Sequence, residues 1–143
     1  MFRKLYEKIG ESRKMVLATS FEDRVTARTM SIVFIDGNFY FQTDEKFLKY
    51  EQLIKNPRVA LCYDNVQIEG IAQVLGSPKD NEKFVEVFSK DFKKSYEAYS
   101  HLESEKLIVV KPTFITVWSY RGTQAVREFY DCENRVYSEN LYK

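Results

Sequence analysis

The sequence is poor in the residues from which most metal and nucleophile sites are built. Of 143 residues one is histidine, His101, and two are cysteines, Cys62 and Cys132. The two thiols make no metal-spaced pair, and a lone imidazole leaves zinc without ligands. Gly-x-Ser-x-Gly does not occur, nor does a glycine-rich phosphate loop, and His101 has no evident partner. Hydrolases of the serine type and P-loop enzymes are thereby excluded. No apolar run is long enough to cross a bilayer as a helix, and the opening "MFRKLYEKIG" mixes charges where a signal segment would be apolar. An excess of one charge is missing too. The formal net charge is +1 with both signs interspersed, and no basic block offers a nucleic-acid face. No repeat, linker or low-complexity tract interrupts the chain. These absences imply a soluble cytoplasmic protein, and the length implies one domain over 1–143.

Aromatic residues are abundant instead, with ten Tyr and eleven Phe. Such a surplus suits aromatic-rich strands, a flat-ligand pocket or an oligomer interface. The opening segment carries Phe2, Leu5, Tyr6 and Ile9 at helical spacing. A strand follows at Met15 to Thr19. "VTARTMSIVFIDGNFYFQT" then reads as a hairpin, because Asp36-Gly37 tolerates the positive φ angles of a tight turn. A short helix is expected over roughly 45–55, ended by Asn56-Pro57, since a residue before proline avoids helical angles. "RVALCYD" and "VQIEGIAQVLG" are two further strands. In the second, Ile68, Gly70, Ala72 and Val74 share a face, and Gly70 marks a bulge or a close approach. Cys62, inside an apolar strand, is expected in the core. "SPKDNEKFVEVFSKDFKKSYEAYS" predicts one long helix capped by Ser77, with Pro78 at its first position. Its stripe of Phe84, Phe88, Phe92, Tyr96 and Tyr99 should face the core. His101, just beyond, reads as an exposed cap or loop residue. "KLIVVKPTFITVWSY" is the last strong strand signal, interrupted by Pro112, which lacks an N–H for a ladder. Strands outnumber helices and follow one another as hairpins. The fold class is mainly β with flanking helices, an antiparallel sheet closed into a small barrel.

One constellation stands out. Arg28 lies early in a strand, Thr43 ends the next, and Lys49 sits on the helix that follows. Singly, each is a surface charge or a strand-end hydroxyl. Together they would suit a phosphate, which accepts strong charge-assisted hydrogen bonds from such groups.

The stretch "ARTMSIVFIDGNFYFQTDEKFLKYEQLIKNPRVALCYDNVQIEGIAQVLG" resembles the flavin-binding half of the pyridoxamine 5'-phosphate oxidase-like split barrels. Shared features are a strand with Arg, a hairpin, a strand ending in Thr, a helix Lys, Asn-Pro-x-Val and a strand with a glycine. The last core strand of that family is echoed in "KPTFITVWSY". The resemblance implies an antiparallel split β-barrel that binds FMN at a homodimer interface. It would place Arg28, Thr29, Met30 and Ser31 along the flavin edge, with Arg28 available to the phosphate. Gln42 and Thr43 would meet the ring and phosphate tail, and Lys49 the phosphate. Asn65 would face the ring from the partner subunit, where an amide can donate or accept. Trp118 resembles an aromatic near the family's C-terminal site, and equally reads as a buried strand tryptophan.

The sequence also departs from the family. Leu48 occupies the position of an arginine in the best-known oxidase, and Phe47 that of a common small hydroxyl residue. Arg13, Lys14 and Lys46 lie nearby in sequence as substitutes. "REFYDCENRVYSENLYK" offers Arg127 and Arg135 but lacks the arginine–histidine substrate pair, so the chain is related by scaffold and is not pyridoxamine phosphate oxidase itself. The implied function is an FMN-dependent oxidoreductase acting on a small organic substrate, with a nicotinamide or quinone as electron donor. The alternatives are a non-catalytic flavin-binding stress or sensor protein, and a relative that binds deazaflavin or haem. A homodimer also follows from size, because a small open-sided barrel cannot enclose a flat ring alone. Neither nucleic acid nor membrane is expected as a partner.

Overall fold

A computed structural model describes residues 1–142. The chain runs α1 (Phe2–Ile9), β1 (Ser12–Phe21), β2 (Arg24–Ile35), β3 (Asn38–Asp44), α2 (Leu48–Lys55), β4 (Arg58–Tyr63) and β5 (Val66–Gly76). It continues through α3 (Glu82–Asp91), α4 (Lys93–Tyr99), β6 (Glu105–Arg121), β7 (Gln124–Asp131) and β8 (Val136–Leu141). The strand order is β3-β2-β1-β4-β5-β6-β7-β8, and a further β3–β6 pairing closes the first six strands into a barrel. All the pairings are antiparallel. Among the described residues no helix is long and apolar enough to cross a membrane.

Hairpin turns fix the register. Asp36 and Gly37 take φ of 50° and 84°, the left-handed pair that matches the twist of β2 and β3. The barrel interior holds Met15, Leu17, Ile32, Phe39, Phe41, Leu61, Ile68 and Ile108, joined by Leu5 and Ile9 of α1 and Leu53 of α2. A second cluster lies on the outside of the wall, where Val33 and Leu107 are covered by Phe84, Val87 and Phe88 of α3. Thus α3 buries an apolar patch that would otherwise face water.

β5 alternates as the sequence suggests, with Val66, Ile68, Gly70 and Ala72 buried. The register shifts between Glu69 and Gly70, opposite Pro112. β6 passes through Pro112 as one strand of 17 residues, and the expected interruption becomes a bulge in β6 itself, where Thr113 has no partner on β5.

Other expectations are corrected. Cys62 is exposed, because Leu61 and Tyr63 on either side take the inward positions of β4. Helix α2 begins at Leu48 rather than near residue 45. The single long helix is three pieces. Ser77 caps only a short turn over Pro78–Asp80, Asn81 caps α3 through the Phe84 N–H, and the chain breaks at Phe92 before α4. Its aromatic stripe divides accordingly, with Phe84 and Phe88 in the core and Tyr99 exposed. His101 is exposed on the turn after α4, as expected. Strands β7 and β8, which no strong pattern announced, extend the sheet beyond the barrel.

Candidate functional site

The barrel is split between β2 and β3. These strands pair over only three residues, Val33↔Tyr40 to Ile35↔Asn38, and then part. β3 instead follows β6 for six pairs, ending at Asp44↔Glu105. The gap is a cavity of about 400 Å³, within the size range of small-molecule sites. One wall is Thr29, Met30 and Ser31 of β2, and the other is Gln42, Thr43 and Asp44 of β3. Lys49 and Phe47 close one end, Lys14 stands on the rim, and Phe88, Ser95, Tyr99 and Leu102 roof it from the α3–α4 side. Strand alternation sends Thr29 and Ser31 outward on β2, cross-paired with Val16 and Lys14 on the barrel's outer surface.

Six of the nine residues singled out from the sequence thus line one cavity: Thr29, Met30, Ser31, Gln42, Thr43 and Lys49. Arg28 lies just behind it. Its guanidinium donates to the Leu17 carbonyl at 3.4 Å, to Thr19 Oγ1 at 2.8 Å and to Thr26 Oγ1. Both threonine hydroxyls donate in turn to Gln52 Oε1 at 2.6 Å. Gln52 is buried on α2, so this network ties α2 to β1 and β2 and fixes where Lys49 points. Asn65 and Trp118 are elsewhere. The Asn65 amide donates to the Trp118 carbonyl, and Trp118 Nε1 donates to the Tyr120 hydroxyl at 2.9 Å. The pair stands at the β4–β5 turn and far along β6 from Glu105. Trp118 is half-buried, beside Tyr142 at 5.5 Å between ring centroids.

Charge shapes the cavity. Burial, and then the neighbouring Arg28 cation, hold the Lys49 ammonium below its ordinary value, while Glu105 and Asp44 pull the other way. Two cations brought close by the fold form a natural seat for an anion. Asp44 is held below the usual carboxylate range, first by the backbone N–H of Lys46 at 2.9 Å, with the Ser104 hydroxyl also at 2.9 Å. Glu105 behaves oppositely. Burial and the adjacent Asp44 push its carboxyl up to about 7. Among the possible substitutes, Arg13 is engaged elsewhere, donating to the Ile9 carbonyl at 3.0 Å and lying 3.9 Å over the Tyr63 ring. Lys14 alone of the three lines the cavity.

Phe47 has a double role. It is the N-cap of α2 without a side-chain cap bond, and its ring lies 4.8 Å from Lys49 Nζ. Phe47→Ser would supply the missing cap acceptor, worth about 1 kcal/mol, against about 0.5 kcal/mol for an exposed cation–π contact. Chemical denaturation is expected to show a net gain of about 0.5 kcal/mol. A loss of stability would mean that the ring packs more tightly than its exposure indicates.

Sequence reasoning missed Glu105, Ser95, Tyr99 and Leu102. Glu105 sits in the acidic run "LESEK" and carries no mark in the sequence, since only the β3–β6 pairing turns it inward on the cavity. Tyr99 ends a stripe read as wholly core-facing, and only the break at Phe92 redirects it.

Residues 1–119 match the family model for pyridoxamine 5'-phosphate oxidase. No curated protein matches the sequence. Among solved structures the fold is similar to that of a pyridoxamine 5'-phosphate oxidase-related, FMN-binding protein from Nostoc punctiforme PCC 73102. The two share 14% identity over 92% of this chain and 87% of that one, with a TM-score of 0.64. It is also similar to PhzG from Burkholderia lata 383, solved with tetrahydrophenazine-1-carboxylic acid, at 13% identity, 99% and 90% coverage and a TM-score of 0.66. The heme storage protein HutZ from Vibrio cholerae is similar at 16% identity, 77% and 88% coverage and a TM-score of 0.63. Likeness at these identities speaks to the fold alone.

Proposed function

The chain belongs to the pyridoxamine 5'-phosphate oxidase family, and from that premise we propose that it binds FMN in the cleft between β2 and β3 and acts as an FMN-dependent oxidoreductase on a small organic substrate. The observation that carries this reading is the placement of Lys49, with the Arg28 cation behind it, at one end of a cleft walled by Thr29–Ser31 and Gln42–Thr43. A phosphate monoester at that end would meet the Lys49 ammonium and feel the Arg28 charge behind it, and a flat ring would lie along the β2 edge. The roof of Phe88, Tyr99 and Leu102 supplies apolar contact. When bound, the flavin supplies the hydride or electron transfer, so no side chain need act as nucleophile or base. The protein's part is to anchor the phosphate, orient the ring and shield it from water.

The proposal includes a homodimer. Outward from the cleft, the sheet surface carries Val16, Ala18, Ala60 and Cys62 on adjacent strands, small or apolar residues with no covering element. Thr29 pairs with Val16, so the cleft opens beside this face. A second copy seated there would extend the ring site, and Asn65 and Trp118 would reach it from the partner subunit rather than from the same chain. The unpaired thiols suit a reducing, cytoplasmic setting.

The purified protein is expected to be yellow, to release FMN identifiable by mass, and to sediment as a dimer. A colourless protein that refuses added FMN would sink the flavin reading, and a flavin-loaded monomer would sink the shared site. Reduction of the bound flavin by NADH or NADPH separates an oxidoreductase from a flavin carrier. For haem, the sole histidine, His101, is exposed and does not line the cleft, which leaves that cofactor without an imidazole ligand in the site.

A further inference from the structure

Glu105 is out of place in an anion site. It is only 6% exposed, it lines the same cavity as Lys49, and it lies directly across the β3–β6 ladder from Asp44. None of the ion pairs among the described residues includes it. Its neighbour on β6, Lys106, is turned to Glu45 at 3.9 Å and to the Glu103 carbonyl at 3.3 Å. The groups facing it are therefore Asp44 and the Gln42 amide from β3 and Lys49 from α2, with Ser95 and Tyr99 contributing only hydroxyls from the α4 side. Arg28 of β2 acts on it indirectly, through Lys49.

Two carboxylates beside a single lysine would partly cancel its attraction for a phosphate. Asp44 is locked in its ionised form by hydrogen bonds from the Lys46 N–H and the Ser104 hydroxyl. For Glu105 the Gln42 amide also favours the ionised form, but it is outweighed by burial and by Asp44, so Glu105 is the group free to give way. Building on the FMN reading, we propose that Glu105 enters the complex with a phosphate-bearing flavin as the neutral acid, so that binding takes up a proton from solvent. The site's preference for FMN over riboflavin then falls as pH rises through neutrality. The neutral acid removes the repulsion and leaves an O–H to donate to the incoming ligand, while Lys49 keeps its charge for the phosphate. The position of the Glu105 carboxyl near neutrality, caused by burial and by Asp44, places the effect in the accessible range.

The sign follows from linkage. A ligand that favours the protonated form binds best below the carboxyl's pKa and progressively less well above it. Calorimetric titration with FMN in two buffers of different ionisation enthalpy gives the proton count directly. At about pH 8 the phosphate is already a dianion and contributes almost nothing. Wild-type protein is expected to take up close to one proton per FMN there, and none per riboflavin. Its FMN Kd should be about tenfold weaker at pH 8 than at pH 6. Glu105→Gln, similar in shape and always neutral, should bind FMN without proton uptake and without that weakening. FMN binding by the wild type with no uptake, or with equal uptake by Glu105→Gln, would overturn the proposal while leaving the flavin reading intact. No FMN binding by the wild type at either pH would overturn both.

Discussion

Replacing Lys49 by alanine is expected to weaken FMN binding about 10- to 100-fold and to leave riboflavin binding within a factor of about two, since a charge-assisted hydrogen bond is worth roughly 1.5–3 kcal/mol. The two ligands differ only in the phosphate, so the ratio of their affinities isolates that group. Lys49 is placed for this role by the first turn of α2, and α2 is anchored by Gln52 to Thr19 and Thr26. Burial together with the Arg28 charge disfavours the Lys49 ammonium. A bound dianion relieves that penalty, and the alanine variant forfeits the relief. Arginine at this position should recover part of the affinity, because it restores the charge with a different reach. Flavin fluorescence titration of the wild type and both variants measures all the ratios. Equal losses for FMN and riboflavin would show that Lys49 supports the fold of the cleft and does not touch the phosphate.

Gly70→Ala is expected to cost roughly 2–3 kcal/mol of stability, the range for overpacking in a closed interior. A methyl group there would lie 2.6 Å from Val110 Cγ1 and 2.9 Å from the Lys111 carbonyl oxygen. Rotation of Val110 could clear the first contact, but that side chain packs in the barrel core. The second contact is with backbone, which can move only by separating β5 from β6. At this point the register shifts and β6 passes Pro112, so the ladder is already short of a donor. Urea denaturation should show a lower midpoint with an unchanged slope. A shift below about 0.5 kcal/mol would mean that the bulge absorbs the methyl group.

Much of the scaffold was legible because it rests on local chemistry. The Asp36-Gly37 turn, the alternation of β5 and the Asn56-Pro57 stop each follow from backbone preferences of the residues themselves. Arg28, Thr43 and Lys49 were legible as a group because a hairpin and a following helix carry them to one end of the same motif. Cys62 was misjudged because apolar content does not say which side of a strand faces inward. In β4 that choice belongs to Leu61 and Tyr63. Conversely, Val33 and Leu107 are apolar and buried yet point out of the barrel, against α3.

The sequence alone determined the strand-rich class, the tight hairpins, the family resemblance and the short span that carries the anion-binding residues, because these depend on neighbours within a few positions. Only the tertiary structure decided where β2 and β3 part, that Glu105 rather than a loop residue lies across from Asp44, and that Asn65 and Trp118 stand away from the cleft of their own chain. Those outcomes depend on closing a six-stranded ring through β3 and β6. A pairing between segments roughly sixty to seventy residues apart in sequence is set by the fit of the whole barrel and leaves no mark in the local pattern.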